Sequence, residues 1–113
     1  MTIQIFGTKK DSDSRKAERW FKERRIRFQY IDMREKGLSK GELDSVSRAL
    51  GGYSELIDPK SKDLYALALV QHTPPSMLAG ILMENQQVLK TPIVRNGRLA
   101  TVGYAPDVWK RWE

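Results

Sequence analysis

The chain has 113 residues, of which 40% are hydrophobic, and this suits a single domain with one modest core. It has no cysteine and one histidine, His72, which excludes thiolate nucleophiles, disulfides, zinc–thiolate sites and iron–sulfur clusters. The net charge is +6, and no apolar run approaches the roughly 20 residues of a membrane span. We therefore expect no membrane segment and, since no secretory signal is evident, a cytoplasmic protein.

The first 31 residues predict a strand, a helix and a second, parallel strand. Apolar and polar residues alternate over residues 2–6 and again over 26–30, which is the period of a half-buried strand. Between the two, Asp11, Ser12 or Asp13 can cap a helix. The helix has an apolar face of Ala17, Trp20 and Phe21 and a basic stripe of Arg15, Arg19 and Lys22.

The middle of the sequence predicts helices only. Ser39 and Glu42 have the spacing of a capping box and predict the start of a helix. Gly51 and Gly52 provide a left-handed end for that helix. Residues 61–67 predict a short helical turn. A further helix is predicted to have Thr73 as its cap, Pro74 as its first residue, and a core face of Met77, Leu78, Ile81 and Leu82.

The last third of the sequence predicts a hairpin and a terminal helix. Residues 92–94 and 99–102 are typical of two antiparallel strands, and Asn96-Gly97 between them is typical of a type I′ turn. Pro106 is expected to begin the last helix. The aromatic residues expected to be mostly buried are Trp20, Phe21, Phe28 and Trp109. No burial is predicted for Trp112.

The order of these elements predicts an α/β fold of the thioredoxin/glutaredoxin type with a mixed four-stranded sheet. A parallel βαβ half over residues 1–37 is followed by an antiparallel ββα half over 88–113. The helices of residues 38–87 form an insertion between the halves. We expect one domain spanning residues 1–113.

Three separated motifs resemble the ArsC/Spx family. Residues 6–17 (FGTKKDSDSRKA) resemble the first βα loop of that family, which carries a cysteine followed by Arg-Lys-Ala. Residues 89–94 (LKTPIV) resemble its Leu-x-Arg-Pro-Ile-Val motif, whose proline is the cis-proline of thioredoxin-like folds. Gly52 and residues 55–62, together with residues 102–104, look most like the Spx branch.

The chain departs from this family at the residues that carry its chemistry. Asp11 stands where the family has its reactive cysteine, and Ser14 stands where Spx proteins have their second cysteine. The three arginines that hold the oxyanion in arsenate reductases fall near Lys60 or Asp58, on Thr91 and on Tyr104. Arsenate reduction and a dithiol switch both need the missing sulfur, so the resemblance implies a family member without a catalytic residue.

We therefore expect a protein that acts by binding a partner, without redox turnover of its own. Spx binds the C-terminal domain of the RNA polymerase α subunit through a surface that includes a glycine, and Gly52 matches that position. Residues 1–30 carry nine Lys and Arg against four acids, so Arg15 and Arg19 are further candidates for contact with an acidic partner. The alternative is that a net charge of this size serves solubility only.

A second hypothesis is a redox-related enzyme of the arsenate reductase-like group that binds glutathione or a peptide. The backbone before a cis-proline pairs with extended peptides in thioredoxin-like folds, so Thr91, Pro92 and Lys60 are the candidate groove residues. Glutathione would then supply the thiol. No other cofactor is expected.

Three further features of the sequence have a structural explanation as well as a functional one. Asp11 and Asp13 could hold a metal ion or accept a phosphoryl group, but a capped helix start explains them better, and we expect no metal site. His72 has no acidic partner close in sequence and fits a helix end better than a catalytic base. Direct nucleic-acid binding ranks last because no base-reading motif accompanies the positive charge.

Overall fold

The computed structural model describes residues 2–113, so that Met1 of the predicted first strand lies outside the described residues. Strands and helices alternate at both ends of the chain, and the part between them is helical. The strands are β1 (Ile3–Gly7), β2 (Phe28–Asp32), β3 (Ile93–Asn96) and β4 (Leu99–Val102). The α-helices are α1 (Ser12–Glu23), α2 (Lys40–Leu50), α3 (Leu64–Gln71), α4 (Pro75–Glu84) and α5 (Pro106–Trp109). Short 3₁₀ turns cover Tyr53–Leu56, Gln86–Val88 and Lys110–Trp112.

The four strands form one mixed sheet in the order β2-β1-β3-β4. β1 runs parallel to β2, with Ile3 opposite Phe28, and antiparallel to β3. β3 and β4 form the predicted hairpin. The peptide bond before Pro92 is cis, as predicted. The predicted α/β fold with a mixed four-stranded sheet is confirmed.

Two apolar clusters lie on opposite faces of the sheet, because neighbouring residues of a strand point to opposite sides. Ile5 of β1 packs with Trp20 of α1 and Trp109 of α5 on one face. Phe6, the next residue, packs with the helices on the other face, which include α2 and α4. The sheet therefore separates α1 and α5 from the rest of the helices.

The caps predicted for α1 and α2 are confirmed. Asp11 caps α1, since its side chain accepts hydrogen bonds from the backbone N–H groups of Asp13 and Ser14. Ser39 and Glu42 form the capping box of α2. Gly51 ends that helix with a left-handed φ of 93°.

The burial predicted for one apolar side chain, Met77, is wrong. Phe28 lies on the edge strand β2 and is largely but not completely covered, whereas Ile31 of the same strand is buried. Met77 is 58% exposed, although it has the helical spacing of the core residues Leu78 and Leu82. The helical periodicity predicts a core face of α4 that includes Met77, but the neighbouring elements cover only part of that face. Trp20, Phe21 and Trp109 are buried as predicted.

Two predicted boundaries between the helices also shift. The short turn expected at 61–67 is an eight-residue helix, α3, which Asp63 caps. Thr73 does not cap α4, because its hydroxyl donates to the carbonyl of Leu69 in α3, and α4 begins at Pro75. His72 is the C-cap of α3 and lies against the carbonyl of Ala68, as the helix-end interpretation predicts.

The hairpin turn also differs from the prediction. Asn96 pairs with Leu99, which leaves Gly97-Arg98 as the two-residue loop. Among residues 96–98 only Gly97 has a positive φ, of 60°. A positive φ at the first loop residue alone is the pattern of a type II′ turn.

Candidate functional site

Asp11 lies at the start of α1, where the family resemblance places a reactive cysteine. Its carboxylate accepts hydrogen bonds from the backbone N–H groups of Asp13 at 3.3 Å and Ser14 at 3.2 Å. It also accepts from the hydroxyls of Ser14 at 2.7 Å and Thr91 at 2.9 Å. Thr91 is 80 residues away in the sequence, so this contact joins the α1 loop to the segment before the cis-proline.

Ser14, at the position of the second cysteine, is buried and faces the sheet. Its hydroxyl accepts a hydrogen bond from the Thr8 N–H at 3.3 Å. Gly7 leaves room for it, because a Cβ at Gly7 would lie 2.6 Å from the Ser14 Oγ. Ser14 therefore serves packing between α1 and β1.

Tyr30 of β2 lies beside this network. Burial raises the pKa of Tyr30 above its ordinary value, and the negative charges of Glu18, Asp32 and Asp11 raise the pKa further. The tyrosine is therefore neutral at physiological pH.

A groove of about 760 Å³ opens beside Asp11 and Thr91. Lys60, the candidate for the surviving cation, lines the same groove. Pro92 is buried, and its carbonyl accepts a hydrogen bond from the Gly103 N–H at 2.8 Å. The charged groove residues are the cations Lys10, Arg34, Lys60 and Lys62 and the acids Asp11 and Asp58.

The arrangement at Asp11 is that of a capping group. Four donors occupy the carboxylate oxygens, which leaves them poorly placed to attack a substrate. Among residues 2–113 no three acidic or histidine side chains come together as metal ligands. What the groove offers chemically is a mostly positive surface for an anionic or peptide-like ligand.

Gly52 lies just beyond α2, on the other side of the sheet from α1. Its φ of 138° lies in the region that favours glycine, and among residues 2–113 an added Cβ would meet no atom within 4 Å apart from its own chain neighbours. The surface at Gly52 is therefore open to another molecule.

The three cations of the basic stripe predicted on α1 make different contacts. Arg15 donates to the carbonyl of Lys9 at 2.6 Å, and Lys22 forms an ion pair with Glu18 at 3.8 Å. Arg19 instead lines a separate groove beside α1. The structure thus places neither Arg15 nor Arg19 with Gly52.

Sequence reasoning missed two groove residues and two contacts of the site. Arg34 lines the groove beside Asp11 but belongs to no motif, whereas Lys62, which also lines it, lies in the segment that resembles the Spx branch. The Thr91 hydroxyl contact with Asp11 could have been inferred, because the resemblance places both residues at the same site. The approach of the Tyr30 hydroxyl to Gly7 has no signal in the sequence.

The fold and the site together define a thioredoxin-like domain of the arsenate reductase type that has a carboxylate at the reactive position. An ArsC family related protein from Bacteroides fragilis superposes with a TM-score of 0.82 over 100% of this chain and 98% of that protein, at 19% identity. The arsenate reductase from Vibrio cholerae superposes with a TM-score of 0.81 over 98% of this chain and 97% of that protein, at 23% identity. At these identities the two structures establish the fold.

Sequence relatives establish the family. The global transcriptional regulator Spx 2 of Oceanobacillus iheyensis is 31% identical over 109 residues, which cover 95% of this chain and 80% of that protein. The regulator Spx 1 of the same organism is 25% identical over 112 residues, which cover 97% of this chain and 86% of that protein. No protein-family model matches the chain. The chain belongs to the ArsC/Spx family, as the sequence motifs predicted.

No helix among residues 2–113 combines the length and the apolar character needed to cross a membrane.

Proposed function

We propose that this protein is a cysteine-less member of the ArsC/Spx family that acts by binding a protein partner in the cytoplasm, without redox turnover. The observation that carries the proposal is the Asp11 site. Its carboxylate replaces the sulfur and is held by Ser14 and Thr91 as a helix cap. The family scaffold is thereby kept while its reactive group is lost.

The first test is chemical. The purified protein should show no arsenate reductase or disulfide reductase activity with glutathione or with a thioredoxin system, because no residue can form the sulfur intermediate. The Vibrio cholerae arsenate reductase serves as the positive control for the assay. Turnover above the background of the protein-free reaction would refute the proposal.

We further propose that the partner is the C-terminal domain of the RNA polymerase α subunit and that it docks at Gly52. The support is the open surface there and the similarity to proteins named global transcriptional regulators. Glycine without a Cβ lets another chain approach closely.

Binding of that purified domain, measured by calorimetry at low salt, tests the docking site. Gly52→Ala and Gly52→Arg carry the same backbone strain at φ 138° and both add a Cβ, but only the arginine adds a long, charged side chain beyond it. We expect Gly52→Arg to abolish binding and Gly52→Ala to weaken it much less. Arg15→Gln and Arg19→Gln should have modest effects, since those residues lie across the sheet. Wild-type protein that fails to bind at tens of micromolar would remove this partner.

The groove beside Asp11 favours a second candidate function, binding of glutathione or an extended peptide. Lys60 and Thr91 line this groove together, and its cations outnumber its acids. A glutathione titration followed by NMR should then shift the amide signals of Lys60 and Thr91, and Lys60→Gln should weaken binding. Unchanged spectra at millimolar glutathione would refute this candidate.

A further inference from the structure

A second polar groove, of about 310 Å³, runs along the outer side of α1. It is distinct from the groove beside Asp11 and shares no lining residue with it. Three of its six lining residues are cations, and one is an acid. The lining consists of Lys16, Arg19, Trp20, Glu23, Arg24 and Tyr104.

The three cations of this groove lack acidic partners. Among residues 2–113 the one ion pair joins Lys22 and Glu18, so Lys16, Arg19 and Arg24 have no carboxylate within 4.0 Å. The Arg24 guanidinium lies 3.9 Å from the centre of the Trp20 ring. Its Nη1 donates to the Trp20 carbonyl at 3.5 Å, and stacking on the indole fixes the plane of the guanidinium, whose remaining N–H groups can reach a phosphate.

An aromatic ring stands beside these cations. Tyr104 is 43% exposed, and its ring meets the buried Trp109 edge to face, with centres 5.6 Å apart and an angle of 83°. This contact holds the ring in place. The ammonium of Lys16 lies 6.0 Å from the Tyr104 ring centre. A fixed, accessible ring next to unpaired cations is the combination that binds single-stranded nucleic acid, with bases on the ring and phosphates on the cations.

The position of the groove separates its ligand from the proposed protein partner. The groove follows α1, whereas Gly52 follows α2, and the sheet lies between the two helices. One small domain docked at Gly52 cannot also fill this groove. The identity of the partner at Gly52 rests on the proposed function.

We propose that the α1 groove binds single-stranded nucleic acid without sequence preference. The cations hold successive phosphates, and Tyr104 stacks one base. An acidic peptide offers charge to the cations but no obligatory planar ring for Tyr104, so the nucleic acid matches both features. Binding of this kind reads no bases, so the lack of a base-reading motif does not count against it.

Fluorescence anisotropy with a labelled mixed-sequence oligonucleotide of about 12 nucleotides tests the proposal. Three phosphate contacts should give a slope of about −2 for log K against log salt, and Arg19→Gln should reduce that slope by about 0.7. Lys40→Gln, an exposed cation of α2, is the matched control and should change nothing. Tyr104→Ala should weaken binding about tenfold, while Tyr104→Phe keeps the ring and the affinity.

Four results would each overturn the proposal. They are no binding at the lowest salt, no loss in Tyr104→Ala, equal losses in Arg19→Gln and Lys40→Gln, and tighter binding of a duplex or of an Asp/Glu peptide. The same variants are also titrated with the polymerase domain. Tyr104→Ala should leave that binding intact and Arg19→Gln should change it only modestly, so failure at the groove and failure at Gly52 are separable.

Discussion

Gly7 is a residue whose missing side chain has a measurable role. A Cβ there would lie 2.6 Å from the Ser14 Oγ and 3.1 Å from the Tyr30 hydroxyl, and Ser14 is buried and cannot move away easily. We expect Gly7→Ala to lower the free energy of unfolding by about 1–3 kcal/mol in urea denaturation. Gly80→Ala in α4 is the control, since a Cβ there meets nothing within 4 Å and should stabilise the helix by up to about 1 kcal/mol. Two variants of equal stability would contradict this account.

Asp11 marks a position that is still built for an anion. It lies at the start of α1, with Lys9 and Lys10 beside it in the sequence. We expect the thiol in Asp11→Cys to have a pKa below the ordinary value of about 8.5, because the helix N-terminus and the lysines favour the thiolate. The ultraviolet absorbance of the thiolate against pH measures it, with Ala68→Cys on the exposed side of α3 as the control. A pKa equal to that of the control would show that the loop does not stabilise negative charge.

At the scale of the element, the start of α2 has a stability that depends on pH. Burial alone would raise the pKa of Glu42, but hydrogen bonds from the Ser39 backbone and side chain and from the Gln4 amide hold the pKa below its ordinary value. A lowered pKa means that the stabilisation is complete above the unfolded pKa and is lost as pH falls through the folded pKa.

The capping box can be tested by acid titration of stability. We expect Ser39→Ala to cost about 1 kcal/mol at neutral pH and to reduce the loss of stability on acidification below pH 4.5. Glu42→Gln should keep most of the cap while removing its pH dependence. Unfolding curves at several pH values measure both effects, and an unchanged acid dependence in Glu42→Gln would assign it to other carboxylates.

The aromatic residues of α1 and β2 differ in what their burial contributes. Phe21 is fully buried between Trp20 and Trp109, whereas Phe28 is half-buried on an edge strand and lies 6.3 Å from the Phe21 ring centre. We expect Phe21→Ala to cost about 3–5 kcal/mol and Phe28→Ala less than half of that. Thermal and urea unfolding of the two variants gives the comparison. Equal losses would mean that the outer side of β2 is covered in solution.

At the scale of the whole molecule, the parts predicted from the sequence are those with local signals. The capping box of Ser39 and Glu42 and the glycine end of α2 depend on neighbours within a few residues, and both are present. The order of strands and helices follows from such signals together with the preferred βαβ connection. These residue patterns alone were therefore enough to predict the fold.

The features that the sequence did not predict depend on which surfaces other elements cover. The strand order leaves β2 at an edge, and no local pattern contains that order. Met77 is exposed because no part of residues 2–113 covers that side of α4. Likewise the contact of Thr91 with Asp11 follows from the folded chain path. The candidate site could be placed by resemblance, but its hydrogen bonds and the separation of Arg19 from Gly52 could not.

The closed hydrogen-bond network at Asp11 bears on how the protein responds to oxidative stress. A thiol at this position would change charge, geometry and bonding on reaction with peroxide, and a second cysteine would let the loop alternate between two states. Asp11 and Ser14 hold the loop in one bonded arrangement that peroxide does not alter. Partner binding through this scaffold is expected to be the same before and after oxidant treatment. The protein would then bind its proposed partner equally under reducing and oxidising conditions, which a reactive thiol at position 11 would not allow.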